Sequence, residues 1–502
     1  MTNPQDRLQE ARNPKKISRN KMNFIKLLKA AAVCCFLTAL AAQASEKKPM
    51  NVLFLAIDDL NTWLLSETHR YGGKVSVPNI QKLADEGVLF MRNYCASPKC
   101  SPSRTAVLSG VAPWVSGVYQ NSQTPSNSTA LKGAIELRRH FQYNGYYVVS
   151  SGKIGHGWKS GFKPDAPGSG RGTRDPSPPN APLSPTGRGE QDWGPIHIPE
   201  DEMNDTKQAD FAIRELQKKH DKPFFIACGM FHPHMPWFVP QKYLDMYPLD
   251  SIVEPPIKEG DLDDMPERGK ELALNRTEVY ARAVEKGVYK NALQGYLAST
   301  TYVDTHMGRV LDALAASPYK DNTIVILWSD HGFHVGEKFH WQKGTLWEEG
   351  THSLLMMKVP GMTKPKQVRN QMVSLLDIYP TLNDLCGLPN PPQTLSGKSL
   401  VPLLKDAKHP WDNAAISGYT FQKPNLDETD VFLSVRTPGY RYINYGDGTE
   451  EFYHRKTDPN EWTNVVNNSK YKQQIERHRA LLPKPVKPTP AKVRDKKKSK
   501  KK

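Results

Sequence analysis

Residues 50–60 read MNVLFLAIDDL, an unbroken apolar run that stops on two aspartates. A run without polar alternation is a strand buried on both faces, as in a parallel sheet covered by helices. VPNIQKLADEGVLF, residues 77–90, follows with a helical period and then a strand. The same plan recurs in ALKGAIELRRHFQYNGYYVVSS from residue 130, in DTKQADFAIRELQKKHDKPFFIACG from 205 and in TYVDTHMGRVLDALAASPYKDNTIVILWSDHG from 301. Helical stretches alternating with short apolar strands predict an α/β fold.

Two stretches break the rhythm. Residues 160–200 are rich in Gly, Pro, Arg and Ser. They predict a long loop that buries little, over the mouth of a site or simply mobile. From about residue 386 the pattern changes, and VFLSVRTPGYRYINYGDGTEEFYHRKTDPNEWTNVV carries short aromatic and β-branched runs broken by Pro-Gly and Asp-Gly. That is the pattern of an antiparallel meander. The expected organisation is a leader over 1–44, a main domain over 45–385, a smaller α+β unit over 386–482 and a Lys/Pro-rich disordered tail over 483–502.

The net charge of +16 matters only through where it lies: the first 29 residues carry +6, the last 20 carry +9, and the body is left at +1. A near-neutral body argues against a nucleic-acid protein. FIKLLKAAAVCCFLTALAAQAS, from residue 24, has the basic start, short apolar run and Ala42-Gln43-Ala44 of a secretory signal, with Met22 an alternative start. The run is too short for a permanent membrane span. The expected protein is exported, to the periplasm or outside the cell. Removal of the leader takes Cys34 and Cys35 and leaves Cys95, Cys100, Cys228 and Cys386, which is no disulfide framework.

In open α/β sheets ligands bind beyond the carboxyl ends of strands. Asp58 and Asp59 stand at one such end, Asp330 and His331 at another. Each pair alone suits a turn, but three carboxylates and an imidazole on one rim call for a compensating cation, and oxygen donors favour a hard ion such as calcium or magnesium. CSPSRTAVLSG, from Cys100, reads as the start of a helix, with Pro102 in its first turn and Ser103 as cap. A group there meets the positive end of the helix, and Arg104 adds a fork for an oxyanion. Lys153 and His156 in SGKIGHGW, His234 in FHPHMPW and Lys343 in HWQKGTLWE all lie on loops past strands. Together they supply what transfer of an anionic group needs: charge neutralisation, a base and an acid.

CSPSRTAVLSG, together with IDDL, GKIGH, PHMPW, SDHG and the later lysine, resembles the arylsulfatase-type sulfatases of the alkaline phosphatase superfamily, and most of all their iduronate-2-sulfatase-like branch. The resemblance runs over about residues 50–470. It implies a large mixed sheet flanked by helices, with a smaller C-terminal unit containing an antiparallel sheet. It implies that a maturation enzyme oxidises Cys100 to formylglycine, guided by Pro102 and Arg104. The hydrated aldehyde attacks sulfur with one hydroxyl and expels sulfate with the help of the other. By the same resemblance calcium is held by Asp58, Asp59, Asp330, His331 and residue 100. Arg104 and Lys153 stabilise the hydrate and the sulfate, and His156 takes the proton that triggers release. His234 and Lys343 lie on the leaving-group side, with His234 favoured as acid. His232 stands where the branch often has a basic residue, a departure expected to bear on substrate contacts. The branch implies a sulfated saccharide, with uronate 2-O-sulfate its leading form. Arg436 and Arg441 are open between a sugar carboxylate or sulfate and cross-strand packing. The competing functions are a phosphonate monoester or phosphodiester hydrolase of the same superfamily and a non-catalytic binder of sulfated glycans.

Overall fold

The computed structural model describes residues 49–65, 71–170, 172–185, 191–423 and 425–490. The leader and the last twelve residues of the basic tail lie outside the described residues. Seven strands build the main sheet: β1 (Asn51–Ile57), β2 (Val88–Phe90), β3 (Tyr147–Gly152), β4 (Phe224–Met230), β5 (Thr323–Ser329), β6 (Leu355–Lys358) and β7 (Gln367–Arg369), in the order β7-β2-β6-β5-β1-β4-β3. β1 runs parallel to both β4 and β5, whereas β6 is antiparallel to β5 and β2. The sheet is mixed, as the resemblance implies.

The unbroken apolar run of β1 serves two cores at once. Leu53, Leu55 and Ile57 join one cluster, and Val52, Phe54 and Ala56 join the other. Successive side chains of a strand point to opposite faces, so a strand covered on both sides needs an apolar residue at every position. Helices α1 (Pro78–Glu86), α4 (Asn204–Gln217) and the 28-residue α5 (Tyr289–Ala316) contribute to the first core. Helices α2 (Cys100–Ser109), α3 (Leu137–Tyr143) and α6 (Ile378–Cys386) contribute to the second. No helix among the described residues is long and apolar enough to cross a membrane.

The change of pattern at 386 marks the end of α6 rather than the edge of a packing unit. Leu400, Leu403 and Leu404 still lie in the second core. The antiparallel sheet starts at β8 (Ala415–Tyr419) and continues through β9 (Phe432–Arg436), β10 (Tyr440–Asn444) and β11 (Glu450–His454). The expected tail differs too. Residues 483–490 are not loose: the Val486 N–H donates to the Trp114 carbonyl at 3.0 Å and the Thr489 N–H to the Gly117 carbonyl at 2.8 Å. The segment 160–200 is irregular but not empty of packing. Its Trp193 is 5% exposed, and the carboxylate of buried Asp192 accepts from the N–H groups of Leu183 and Ser184.

Glu348 ties this sheet to the main body. Its carboxylate lies 3.0 Å from Arg436 Nε, 2.5 Å from Arg441 Nη2 and 3.5 Å from Arg455, and it accepts the Tyr94 hydroxyl at 2.9 Å. Arg436 and Arg441 face each other across β9 and β10. Their charges are therefore taken up by a buried network, which decides between the two expected roles in favour of packing. Burial alone raises the Glu348 pKa, but the three guanidiniums outweigh it and hold the carboxyl well below its ordinary value. Such a group stabilises the fold fully above its unfolded pKa of ~4.3 and loses that contribution as pH falls below it. Glu348→Gln is expected to lower stability at neutral pH by about 3–5 kcal/mol, because it leaves buried Arg436 without its carboxylate and Arg441 and Arg455 with Glu461 alone. Denaturant midpoints measured against pH check this: the gap to wild type should close only in acid.

Candidate active site

Cys100 opens α2 and is 1% exposed. The Ser101 N–H, one of the helix's free donors, is met by Asn121 Oδ1 at 2.8 Å. Ser103 does not cap the helix as expected: its hydroxyl donates to the Asp330 carbonyl at 2.5 Å and ties the helix to the end of β5. The thiol lies 3.4 Å from His331 Nε2 and 3.8 Å from Asp59 Oδ1. All four cysteines among the described residues are free.

Asp58 and Asp59 follow β1, and Asp330 and His331 follow the adjacent parallel β5, so one rim carries all four. Asp59 is held at φ +59°, in the left-handed region that non-glycine residues seldom occupy. Its N–H donates to Asp330 Oδ1 at 3.2 Å and its carbonyl accepts the Tyr296 hydroxyl at 3.2 Å. Strained backbone held by its surroundings is common where a side chain must be aimed.

Arg104 is fully buried and bridges the two acidic strand ends, with Nη2 3.0 Å from Asp58 Oδ1 and Nε 3.0 Å from Asp330 Oδ2. Its remaining N–H groups donate to the carbonyls of Lys153 and Ile154. The Lys153 ammonium pairs with Asp58, and the Lys343 ammonium lies 2.5 and 2.6 Å from the two oxygens of Asp59. His234 Nε2 stands 3.8 Å from Asp59, while its Nδ1–H donates to the Met235 carbonyl at 2.6 Å. His156 Nδ1 is buried without a hydrogen-bond partner. The structure thus brings together every residue that the sequence singles out for this site.

The electrostatics follow from three carboxylates and three cations in a buried space. Burial pushes the Cys100 thiol up, but the ammoniums of Lys153 and Lys343 outweigh it and hold the thiol well below its ordinary pKa. Burial pushes Asp330 up to about 7 against the pull of Arg104. Burial lowers His234, and the positive charge of Lys343 and Lys153 adds to the effect against the pull of Asp59. Burial would also lower His331, but Asp330 and Cys100 raise it to about 9. The His331 nitrogen facing the cluster therefore sits in a negative potential that favours a cation.

These residues fit a divalent metal. Ligand atoms of Asp59, Cys100, Asp330 and His331 lie within 4.8 Å of one another, as do those of Asp58, Asp59, Cys100 and His234. The His331 Nδ1–H is committed to the Gly332 carbonyl at 2.9 Å, which turns Nε2 inward and fixes the ring as second-partner bonds do in metal sites. Carboxylate oxygens as the majority donors suit a hard cation.

Beside the cluster opens a cavity of about 490 Å³, lined among others by Lys153, His156, Trp158, Thr173, Arg174 and Phe231. The loop after residue 160 forms one of its walls. His232 does not reach it. That ring is 2% exposed, and its Nδ1 lies 2.8 Å from the carboxylate of Asp205, which also accepts the N–H groups of Phe231 and His232. The His232 ring is turned to Asp205 and anchors the loop that carries His234. Sequence reasoning also passed over Lys99, which adjoins Cys100 and whose side chain lies against Gly344 and Tyr419.

Residues 50–388 match the family model described as Sulfatase, and residues 336–485 match one described as N-sulphoglucosamine sulphohydrolase, C-terminal. A protein named Sulfatase from Formosa agariphila is 37% identical over 481 residues, covering 89% of this chain and 90% of its own length. Iduronate 2-sulfatase of Mus musculus is 29% identical, covering 87% of this chain and 94% of its own. Among solved structures, a protein in complex with its substrate D-glucosamine-2-N,6-O-disulfate has the same fold, with a TM-score of 0.68 at 22% identity over 87% of this chain and 97% of that one. A family model spanning most of the chain and a relative matched along nearly its whole length agree with the clustered residues, and the chain belongs to the sulfatase family.

Proposed function

We propose that this sulfatase removes a sulfate ester from a sulfated saccharide, using formylglycine at position 100 and calcium held by Asp58, Asp59, Asp330 and His331. The observation that carries the reading is the placement of Cys100 at the start of α2, enclosed by the three carboxylates and the cations Arg104, Lys153 and Lys343. When present, the hydrated aldehyde supplies a hydroxyl to attack sulfur and a second that lets sulfate leave, and the metal ion supplies positive charge against the sulfate oxygens.

The chain's own residues do the rest. Arg104 spans Asp58 and Asp330 and keeps both carboxylates aimed at one point. Lys153 and Lys343 offer ammoniums to the sulfate oxygens once the metal answers the charge of Asp58 and Asp59. His156, with Nδ1 free of any partner among the described residues, takes the proton that lets residue 100 return to the aldehyde. His234 has Nδ1 committed to a carbonyl, so Nε2 is the nitrogen left to face the leaving oxygen, and it donates a proton there when the ring is an imidazolium. Lys343 is the poorer acid, because Asp59 outweighs burial and raises its pKa further. Uronate 2-O-sulfate is the leading substrate, on the likeness to iduronate 2-sulfatase. The leader supports export, and CSPSR supports contact with a maturation enzyme on the way.

The test is free sulfate released from a 2-O-sulfated uronate disaccharide by protein whose aldehyde is confirmed by peptide mass. Release is the expected result. Faster cleavage of a phosphodiester than of an aryl sulfate would point to the other hydrolase class instead. Chelation should abolish release and lower the melting temperature, and calcium at a hundred times its Kd should restore about 2.7 kcal/mol of stability. A melting temperature indifferent to calcium would count against the metal.

A further inference from the structure

The cavity of about 490 Å³ beside the cluster opens where the rest of the substrate has to go. It has the size of a small-ligand site, ~300–1,000 Å³. Two contacts put it on the side of the departing alcohol. The ring of Phe231, on its wall, packs 4.7 Å from the ring of His234, and the Lys153 ammonium stands 5.3 Å from the same Phe231 ring. In the proposed reaction the sugar keeps the oxygen that His234 faces, so the remaining atoms of that sugar lie within reach of this wall.

The wall is positive. Arg138, Lys153, His156 and Arg174 line the cavity, and no Asp or Glu among the described residues does. The carboxylates that answer two of these cations, Glu136 for Arg138 and Asp58 for Lys153, are fully buried and do not reach the cavity surface. A cleft lined by one sign of charge concentrates ligands of the other. Arg174 is the exposed member of the four, and its backbone is held on both sides. Gly172, at φ +59°, lies so close to the end of β3 that a methyl group built on it would fall 2.8 Å from Gly152 Cα and 2.9 Å from the Lys153 nitrogen. Asp175, 4% exposed, accepts the Asn204 N–H at 2.7 Å and the Asn204 side-chain amide at 3.0 Å, which fixes the chain to the start of α4. Two residues of chain span about 7 Å at most, so the Arg174 Cα stays within that distance of Gly172 and the Lys153 backbone. The fold has already ordered this backbone, and binding has only the Arg174 side chain left to fix.

We infer that Arg174 is a specificity-determining residue of this cavity, whose guanidinium binds a carboxylate on the same sugar whose sulfate ester is cleaved. The inference rests on the proposed function for the position of that ester. A planar fork of N–H donors matches the two oxygens of a carboxylate. The uronate of the proposed function carries such a group on the ring that bears the ester. The enzyme then holds that ring from two sides, by its sulfate in the catalytic cluster and by its carboxylate in the cavity. A neutral sulfated sugar leaves the guanidinium with water alone and is bound more weakly.

The experiment compares Arg174→Gln with wild type on a 2-O-sulfated uronate disaccharide, on its uronate methyl ester and on 4-nitrophenyl sulfate. The variant should lower the ratio of kcat/KM for the free acid to that for 4-nitrophenyl sulfate by about tenfold or more, mainly through KM. On the methyl ester that difference between variant and wild type should vanish. An unchanged ratio overturns the inference. So does a difference that persists on the methyl ester, which would give Arg174 another partner, such as a further sulfate. The exposed position of Arg174 favours folding of the variant, and its melting temperature checks this. A second measurement separates the subsite from the chemistry: calorimetric affinity of the acid and its methyl ester for Cys100→Ala protein, with and without Arg174→Gln. Affinity for the acid that falls about tenfold with Arg174→Gln, while that for the ester does not, upholds the subsite even where wild type releases no sulfate. That combination would sink the proposed reaction alone. Affinity for the acid that is indifferent to Arg174→Gln, or absent throughout, overturns the subsite.

Discussion

Cys100→Ala is expected to lower sulfate release by about 10^4- to 10^6-fold, the scale on which loss of a nucleophile is felt in covalent catalysis. The fold should survive, because the thiol bonds only loosely to His331 and Asp59 at 3.4 and 3.8 Å. Cys100→Ser makes a sharper test. A serine hydroxyl can accept one sulfate but has no second hydroxyl to expel it, so the variant should stop after at most one turnover. Peptide mass would show sulfate retained on residue 100, with free sulfate never exceeding the background. Continued turnover by the serine variant would mean that residue 100 is not the nucleophile.

The second large effect belongs to Arg104. Its guanidinium is fully buried and answers Asp58 and Asp330 together. Arg104→Ala leaves two buried carboxylates short of a partner, and a loss of about 3–5 kcal/mol is expected. Arg104→Lys should recover little, because one ammonium cannot span two carboxylates while also reaching the carbonyls of Lys153 and Ile154. Calcium should restore part of the lost stability in both variants, because the metal and the guanidinium neutralise the same carboxylates. Melting temperatures with and without calcium check this. A variant as stable as wild type in chelator would show that Arg104 is not what compensates the pair.

The centre of the site was legible because the chemistry sits where the pattern breaks. β1 and β5 are apolar throughout and stop on Asp58-Asp59 and Asp330-His331, so the strand ends announce the rim. What the chain hides is direction and long-range pairing. His232 and His234 look alike two residues apart, yet one ring turns inward to Asp205 and the other faces Asp59. Ser103 has the chemistry of a helix cap, but a carbonyl from β5 takes its hydroxyl instead. Arg436 and Arg441 meet Glu348 across 88 and 93 residues, and no local period can report such a pairing. Where the packing of the main body ends is hidden for a related reason. The composition changes at the end of α6, while the packing continues through Leu404.

The burial of Cys100 and Arg104 also sets an order of events during synthesis. A sulfur that is 1% exposed is out of reach of a modifying enzyme, so under the proposed function oxidation of Cys100 would have to precede closure of the fold. The closed fold includes residues made long after Cys100: Lys343 covers Asp59, and the Glu461 carboxylate accepts the N–H of Glu348 at 2.9 Å. Roughly 360 residues must emerge between Cys100 and Glu461, which at ordinary synthesis rates takes about 20–70 s. Under the proposed function the late-made end of the chain would act as a timer, leaving CSPSR open until the rest of the protein exists.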